Sequence, residues 1–275
     1  LKEVQRLSSP DLLANNEVFH RLLTEGVPVS VQKDGQERGE RVWLIDFANT
    51  ENNEYVVANQ FTVIENHYQK RPDLVLFVNG IPLVVIECKS PKIDKPLSQA
   101  VSQHLRNQND DGIRGLYVFS QLCMALCQNT AQYATTATEE EFWGAWREQY
   151  TNRQAEENQK TTLQALKNES ISNTSYWKNL LCNEEREGQE NPYREAIGAQ
   201  WSITNQDELL YNTCRPERLF DLIFNFIVYD AGAKIIARYQ QYFGVRKTLE
   251  RLKISSPSPF VQGIMVRSGG VIWHT

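Results

Sequence analysis

The chain has 275 residues, of which 41% are hydrophobic and 23% are charged, and it carries a formal net charge of −5. This length and composition are typical of a globular protein with a substantial core, and the longest apolar runs, roughly six residues, are far too short to span a membrane. The negative charge argues against a surface that binds nucleic acid everywhere, so any DNA contact has to come from local basic patches.

The cysteine pattern excludes a zinc module. No two cysteines form a C-x-x-C pair, and no histidine stands at zinc-ligand spacing from them. The odd, unpatterned set predicts buried thiols in a reducing cytoplasm. The chain begins with Leu1 rather than Met and ends on the strand-like run VIWHT, so we expect a fragment of a longer protein.

The first 25 residues are predicted to be helical. Pro10 and Asp11 are a start signal, an apolar stripe follows them, and Gly26 is a stop signal. Glu17 on this helix is a candidate acidic metal ligand, although a solvated helix face is the simpler interpretation of that position.

Residues 29–65 predict strands. A hairpin is expected from 29–32 and 41–47 with a turn at 33–39, followed by a polar loop at 49–54 and a strand at 55–65. The residues His67, Lys70 and Arg71 come next; they contact a phosphate or form an ordinary exposed turn.

Residues 71–91, RPDLVLFVNGIPLVVIECKSP, predict a second hairpin. Two apolar runs, 74–78 and 81–86, flank Asn79 and Gly80, a pair that readily adopts the positive φ of a tight turn. Asp73 precedes the first strand, while Glu87 and Lys89 end the second on one face because a strand alternates sides.

The loop length decides whether these charges meet. A two-residue loop pairs Val78 with Ile81 and sets Asp73 opposite Ile86. A three-residue loop with a glycine bulge sets Asp73 opposite Glu87. We predict the second register, because two carboxylates and an ammonium at one strand end can hold a hard divalent cation. The alternative is that these are solvated strand termini.

The segment after the hairpin carries amides and basic residues. Lys92 lies in a short basic loop, and residues 96–107 predict a helix with Gln103 and Asn107 four apart on one face. Strands are predicted at 115–119 and 121–126. Thr138 and Glu141 form a capping box before a predicted helix whose aromatic residues belong to the core.

The remaining chain divides into a polar and an amphipathic part. Residues 148–200 are poor in aliphatic side chains and predict a linker or insert, partly helical around 163–166 and 177–181. Residues 216–228 predict an apolar helix and 233–252 a basic one. No G-x-x-x-x-G-K-[ST] phosphate-binding motif occurs, so this chain alone is not expected to hydrolyse ATP.

The motif PD followed after a hairpin by ExK resembles the PD-(D/E)xK nuclease superfamily, and the hairpin resembles the motor subunit HsdR of type I restriction enzymes. The resemblance covers most of the chain outside 150–205. It extends through the segments NNEVFHRLLTEGVPV, WLIDFANTENNEYVVANQFTV, AVSQHLRNQ, YATTATEEEFWGAW, RYQQYFGVRKTL and GVIWHT.

The resemblance implies an α/β fold and a division of the chain. Residues 1–150 would form a PD-(D/E)xK endonuclease domain with a mixed β-sheet flanked by helices. Residues 151–205 would be a polar linker or insert, and 206–275 the start of a RecA-like helicase motor domain, truncated before its phosphate-binding loop.

The resemblance also implies the roles of individual residues. Asp73, Glu87 and the backbone carbonyl of Cys88 would bind Mg²⁺, and Lys89 would act on the attacking water or on the transition-state charge. The DNA contacts would come from Gln103, Asn107, Lys92 and Arg71. Gln103 matches a Q-x-x-x-Y element of the family, whereas Asn107 replaces its tyrosine. The simpler interpretation of Gln103 and Asn107 is an amide pair on a solvated helix face.

The predicted function is a Mg²⁺-dependent type I restriction endonuclease that cuts double-stranded DNA in a complex with specificity and methyltransferase subunits. ATP would bind only the full-length subunit, where Gln240 or Gln241 contacts adenine unless these are plain helix-surface residues. The alternatives are a non-catalytic DNA-binding or assembly module with an incomplete metal site, and an ATP-dependent nuclease-helicase outside restriction.

Overall fold

The structure, a computed structural model, describes residues 9–169, 200–257 and 265–267. The helices are α1 (Leu12–Glu25), α2 (Pro96–Asn107), α3 (Arg114–Phe119), α4 (Arg153–Lys167), α5 (Asn205–Cys214), α6 (Pro216–Asn225) and α7 (Tyr239–Lys253). The strands are β1 (Val27–Lys33), β2 (Gln36–Val42), β3 (Tyr55–Asn59), β4 (Val63–Glu65), β5 (Tyr68–Lys70), β6 (Leu74–Val78), β7 (Ile81–Cys88), β8 (Leu122–Cys127), β9 (Thr130–Ala134), β10 (Ile227–Asp230), β11 (Ala233–Ile236), β12 (Ser255–Pro257) and β13 (Met265–Arg267).

The centre of the fold is a five-stranded sheet with the order β3-β6-β7-β8-β9. Strands β7 and β8 are parallel, and the other neighbours are antiparallel. The helices α2 and α3 connect the two parallel strands, because a parallel pair needs a long crossover rather than a tight turn. The predicted α/β class with a mixed central sheet flanked by helices is confirmed.

Each face of the sheet is covered by its own set of helices. Val85 of β7 and Ala125 of β8 share a core with α2 and α3, whereas Val84 and Ile86 share one with α1, α5 and α6. Residues 83–86 of β7 are at most 1% exposed. The residue after Ile86 alternates back to the face that α2 covers, which places Glu87 beneath that helix.

The predicted start and stop signals of the first helix are confirmed. The Asp11 side chain accepts hydrogen bonds from the amides of Leu13 and Ala14, and the backbone turns to φ 80° at Gly26. Residues 1–8 lie outside the described part of the chain.

The strand boundaries before the central hairpin differ from the prediction. The first hairpin closes in a two-residue turn at Asp34 and Gly35, both with positive φ, so its second strand is 36–42 rather than 41–47. The strand predicted over 55–65 breaks at Gln60, whose φ is 53°. Strands β4 and β5 then form a separate short hairpin.

Two helix and strand predictions around residues 115–146 were wrong. The run 115–119 is part of helix α3, since a short apolar run does not distinguish a buried strand from a buried helix. The predicted helix after Thr138 is only a short 3₁₀ turn (Glu140–Phe142), and Gly144 instead forms a β-bridge with Tyr133. Trp143 and Trp146 are buried in the core, as predicted, while Phe142 is exposed.

The C-terminal helices also have different limits. Helix α6 ends at Asn225 rather than at 228, and the predicted basic helix over 233–252 begins only at Tyr239. Ala231 and Gly232 both have positive φ and turn the chain into the β10–β11 hairpin. Lys234 therefore lies on a strand and is buried instead of on a basic helix surface.

Helices α5, α6 and α7 share one core with the central sheet. Their buried residues Leu209, Leu222 and Phe243 belong to the same cluster as Ile86 and Met124 of the sheet. Helix α4 confirms the predicted helicity around 163–166, whereas 177–181 lies outside the described residues. The division into endonuclease domain, insert and motor start stays a prediction. No helix within the described ranges combines the length and apolarity that a membrane crossing requires.

Lys234 holds the β10–β11 hairpin to the sheet. It is 5% exposed, and its Nζ donates to Ser120 O at 3.2 Å and to Gln121 Oε1 at 3.0 Å. His20 of α1 also contacts Gln121 Oε1, at 2.9 Å. Burial lowers the pKa of Lys234 to about 7 and the pKa of His20 to about 4.

We expect Lys234→Met to change how stability depends on pH. Between pH 7 and about 10, unfolding lets the lysine take up a proton that it lacks in the fold, so the free energy of unfolding rises with pH by up to about 1.4 kcal/mol per unit relative to the variant. Below pH 7 both states hold the proton and the difference is constant. In the fold, Cys123, with its pKa raised to about 12, and His20 do not titrate in this window, and the titration of the unfolded Cys123 thiol is common to both proteins and cancels in the difference.

Urea unfolding of the wild type and Lys234→Met at three pH values in that window measures the effect. Lys33→Met, a change at an exposed strand residue, is the control and is expected to follow the wild type. A wild-type and Lys234→Met difference that does not vary with pH would contradict a neutral buried lysine.

Candidate nuclease site

The β6–β7 hairpin brings Asp73 and Glu87 together by a route that the sequence did not show. The turn has two residues, with Val78 paired to Ile81, so the predicted three-residue loop is wrong. A bulge after Phe77 and Pro82 then shifts the register, and Leu74 pairs with Ile86. Proline lacks an N–H for the ladder and is common at bulges, which explains the position of this shift.

The shifted register places Asp73 beside the end of β7. The next pair beyond Leu74 and Ile86 is Asp73 and Glu87, as predicted. The Cys88 backbone N–H donates to Asp73 Oδ2 at 2.7 Å, and the Gln60 amide donates to Oδ1 at 3.0 Å. Both Asp73 oxygens are therefore held by neighbouring strand ends.

Glu87 is a buried carboxyl group with an unused oxygen. Its exposed fraction is 0%, and its Oε2 accepts no hydrogen bond from the part of the chain that the structure describes. Burial raises the pKa of Glu87, and the charge of Asp73 raises this pKa further, while Lys89 opposes both effects. Such a group is costly to leave unsatisfied, which points to a ligand at this position.

Lys89 is positioned by the helix above the sheet. Its Nζ donates to Gln103 Oε1 at 2.6 Å and lies 3.9 Å from Glu87 Oε2. The predicted alternation is confirmed, since Glu87 and Lys89 share a face while the Cys88 side chain points away and is exposed. The ammonium group therefore lies close enough to contact a ligand bound between Asp73 and Glu87.

The two amide residues predicted on one face of α2, Gln103 and Asn107, differ in burial. Gln103 is partly exposed and contacts Lys89, whereas Asn107 is 4% exposed and its Nδ2 lies 3.5 Å from Glu87 Oε1. The simpler interpretation of both amides as a solvated pair is therefore wrong for Asn107. Its burial leaves it a partner of Glu87, and a direct contact with DNA stays a prediction for Gln103 and Asn107 alike.

The remaining predicted DNA-contact and adenine-contact residues lie on the surface. Arg71 and Lys92 are both exposed, one just before Asp73 and one in the loop after β7. Gln240 and Gln241 are exposed on α7, where Gln241 accepts a hydrogen bond from the Arg238 N–H at the helix start. Their predicted contacts with DNA and adenine are not tested by these positions.

The additional acidic ligand from the first helix is not at the site. Glu17 forms an ion pair with Arg21. His20, on the same helix, contacts Gln121, whose N–H bonds Leu83 O near the start of β7. Glu87 lies at the other end of that strand, so helix α1 approaches the wrong end of the sheet.

A cleft of about 430 Å³ runs along α2 and is lined in part by Lys89. Its cationic residues are Lys89, Lys95 and Arg106, and Ser98, Ser102 and Gln103 add polar groups. Asp94 and Glu140 reduce the local positive charge. The spacing of 95, 98, 102 and 106 along one helix face is a signal that sequence reasoning missed.

Asp73 and Glu87 are the residues that could hold a Mg²⁺ ion. Among residues 9–169, 200–257 and 265–267, no three His, Cys, Asp or Glu side chains form a group that could hold a metal. Mg²⁺ commonly takes one or two carboxylates and completes its shell with waters and phosphate oxygens. The unused oxygen of Glu87 and the neighbouring Asp73 match that requirement.

Comparison with known proteins gives matches along the whole chain. A model of the family described as "Type I restriction enzyme R protein N terminus" matches residues 1–142. The chain is 29% identical over 99% of its length to a putative type I restriction enzyme MjaIXP endonuclease subunit from Methanocaldococcus jannaschii, of which it covers 23%. It is 26% identical over 100% of its length to the type I restriction enzyme HindI endonuclease subunit from Haemophilus influenzae, of which it covers 22%.

The chain thus spans less than a quarter of the length of these relatives. The family match includes the hairpin, both carboxylates, Lys89 and helix α2, which are the parts from which the site is built. By that match over more than half of its residues, the chain belongs to the family of type I restriction enzyme R protein N termini.

Proposed function

We propose that this chain is the Mg²⁺-dependent endonuclease part of an ATP-dependent type I restriction subunit and that it hydrolyses phosphodiester bonds of double-stranded DNA. The observation that carries the proposal is the buried Glu87 with its unused oxygen, facing Asp73 and 3.9 Å from the Lys89 ammonium. The order of hairpin, parallel strand and crossover helix around it supports a PD-(D/E)xK type of fold.

The residues divide the chemistry of hydrolysis among them. Asp73 and Glu87, with the Cys88 carbonyl, would hold Mg²⁺, which when bound neutralises phosphate charge and lowers the pKa of a bound water. Lys89, fixed by Gln103, would orient or deprotonate the attacking water or stabilise the charge of the transition state. Asn107 keeps the Glu87 carboxyl group oriented toward Asp73 and Lys89.

The names of two relatives support the proposed substrate and partners. Both are named as endonuclease subunits of type I restriction enzymes. We infer a complex with specificity and methyltransferase subunits in the cytoplasm, with ATP acting through the part of the subunit beyond this chain. In this proposal residues 206–275 lead into a RecA-like motor.

A second candidate function is a DNA-binding or assembly module without catalysis. It is favoured by the small ligand set, since the described residues provide two carboxylates and no larger metal-binding group. Such a module would bind duplex DNA through the cleft along α2 but would not gain metal-dependent cleavage.

Metal titration combined with plasmid nicking separates the two functions. We expect the wild-type chain to bind Mg²⁺ by calorimetry and to nick plasmid, with EDTA stopping and added Mg²⁺ restoring the reaction. Asp73→Ala is expected to lose both. Undiminished Mg²⁺-dependent cleavage by Asp73→Ala would refute the proposed site, and metal-independent DNA binding without any nicking would favour the assembly module.

A further inference from the structure

Gln60 lies directly opposite Asp73 at the point where β3 leaves the sheet. Asn59 pairs with Leu74, so Gln60 and Asp73 are the next pair of that register. The Gln60 N–H donates to Asp73 O at 2.9 Å, and the backbone then turns to φ 53°. The strand therefore ends at Gln60 while its side chain stays beside the Asp73 carboxylate.

Two donors from different strands define the orientation of that carboxylate. Gln60 Nε2 donates to Oδ1 at 3.0 Å, and the Cys88 N–H donates to Oδ2 at 2.7 Å. Each carboxylate oxygen has two lone-pair positions, so one position on each oxygen remains for a further ligand. The Cys88 donor belongs to the strand of Glu87, which links the orientation of the two carboxyl groups.

Electrostatic repulsion by Glu87 would favour rotation of the Asp73 carboxylate out of the site. Asp73 and Glu87 lie next to the paired residues Leu74 and Ile86 and so face each other at the strand end, where two carboxylates directly opposite would repel. A carboxylate held by one donor alone can rotate out of the site. Outer hydrogen bonds to a metal-binding carboxylate oppose such rotation and typically support metal affinity by about 10- to 100-fold.

We infer that Gln60 is a positioning residue for Asp73, whose side-chain amide holds the carboxylate toward Glu87 in the geometry that receives the metal ion. The inference rests on the proposed function of the Asp73 and Glu87 site. It adds a residue from the strand before the hairpin, outside the PD and ExK motif.

The main-chain role of Gln60 has to be separated from its amide. Gln60→Met keeps the length of the side chain and the N–H bond to Asp73 O, but it removes the Nε2 donor. Gln69→Met makes the same change at an exposed position of β5 and is the matched control. Urea unfolding of both variants tests whether the fold is retained.

Two measurements on the chain test the inference. Mg²⁺ affinity by calorimetry is expected to fall by about 10- to 100-fold in Gln60→Met and to stay unchanged in Gln69→Met. Without any metal, NMR of the Cys88 amide is expected to show faster hydrogen exchange and a shifted proton resonance in Gln60→Met alone, because Asp73 Oδ2 leaves that N–H.

The outcomes distinguish the inference from the proposed function. Gln60→Met with an unchanged Cys88 amide and wild-type Mg²⁺ affinity overturns the positioning role. A released Cys88 amide together with weakened Mg²⁺ binding supports it. If the wild-type chain binds no Mg²⁺ but the Cys88 amide is still released in Gln60→Met, the positioning role is supported while the metal site is removed from the proposed function.

Discussion

Replacing Glu87 by glutamine is expected to stabilise the metal-free chain and to abolish its Mg²⁺-dependent cleavage. The amide keeps the Asn107 contact, no longer opposes Asp73 as a carboxylate and can donate to it. Since Glu87 Oε2 is buried and accepts no hydrogen bond from residues 9–169, 200–257 or 265–267, the free energy of unfolding is expected to rise by about 1–2 kcal/mol. The same change removes a metal ligand, so cleavage is expected to fall by more than about 10²-fold.

Glu87→Gln is expected to raise the free energy of unfolding and to lower the cleavage rate. Urea unfolding in EDTA measures the first, and plasmid nicking in Mg²⁺ measures the second. Glu37→Gln, at an exposed position on β2, is the control and is expected to change neither. A Glu87→Gln variant that is both less stable and fully active would show that Glu87 is a structural carboxyl group.

Replacing Lys89 by alanine is expected to reduce the cleavage rate by about 10²- to 10⁴-fold with the fold intact. The Lys89 ammonium is 2.6 Å from Gln103 Oε1 and 3.9 Å from Glu87 Oε2, so it lies beside the carboxylates that would hold Mg²⁺ in the proposed reaction. Its side chain is 19% exposed and pairs with the buried Glu87, so the variant is expected to lose some stability while it keeps its fold.

Single-turnover cleavage and calorimetry separate the role of Lys89 from metal binding. Lys89→Ala is expected to keep Mg²⁺ affinity, because the lysine is not a ligand. Lys92→Ala, three residues later in the exposed loop, is the control and is expected to weaken DNA binding at most. Normal cleavage by Lys89→Ala would remove the lysine from the reaction, whereas lost metal binding would assign it to the structure of the site.

The hairpin shows how far local patterns determine a register. The Asn79 and Gly80 turn and the apolar runs on either side were sufficient to predict two paired strands and their ends. The predicted loop was wrong, yet Asp73 still faces Glu87, because a bulge next to Pro82 makes the same one-residue shift. A one-residue shift in the register, whether it occurs in the turn or within the strands, changes the pairing at the strand end in the same way.

The errors in other elements have a common cause. The apolar run 115–119 became a helix because the parallel β7–β8 pair requires a helical crossover there. Residues 233–236, predicted as the start of a helix, form a strand of a hairpin instead. In this strand Lys234 donates hydrogen bonds to Ser120 and Gln121. Both hydrogen-bond partners of Lys234 lie more than a hundred residues earlier in the chain. Local sequence propensities therefore could not predict these bonds.

By itself, the sequence determined the parts that depend on periodicity and turn chemistry. These are the α/β class, the central hairpin, and the alternation that puts Glu87 and Lys89 on one face. Only the tertiary structure decided that Gln60 and the Cys88 amide donate to Asp73, that Asn107 is buried against Glu87, and that Glu87 Oε2 accepts no hydrogen bond from the described residues. Strand pairing and helix packing set those distances, because they bring together residues whose positions along the chain are unrelated.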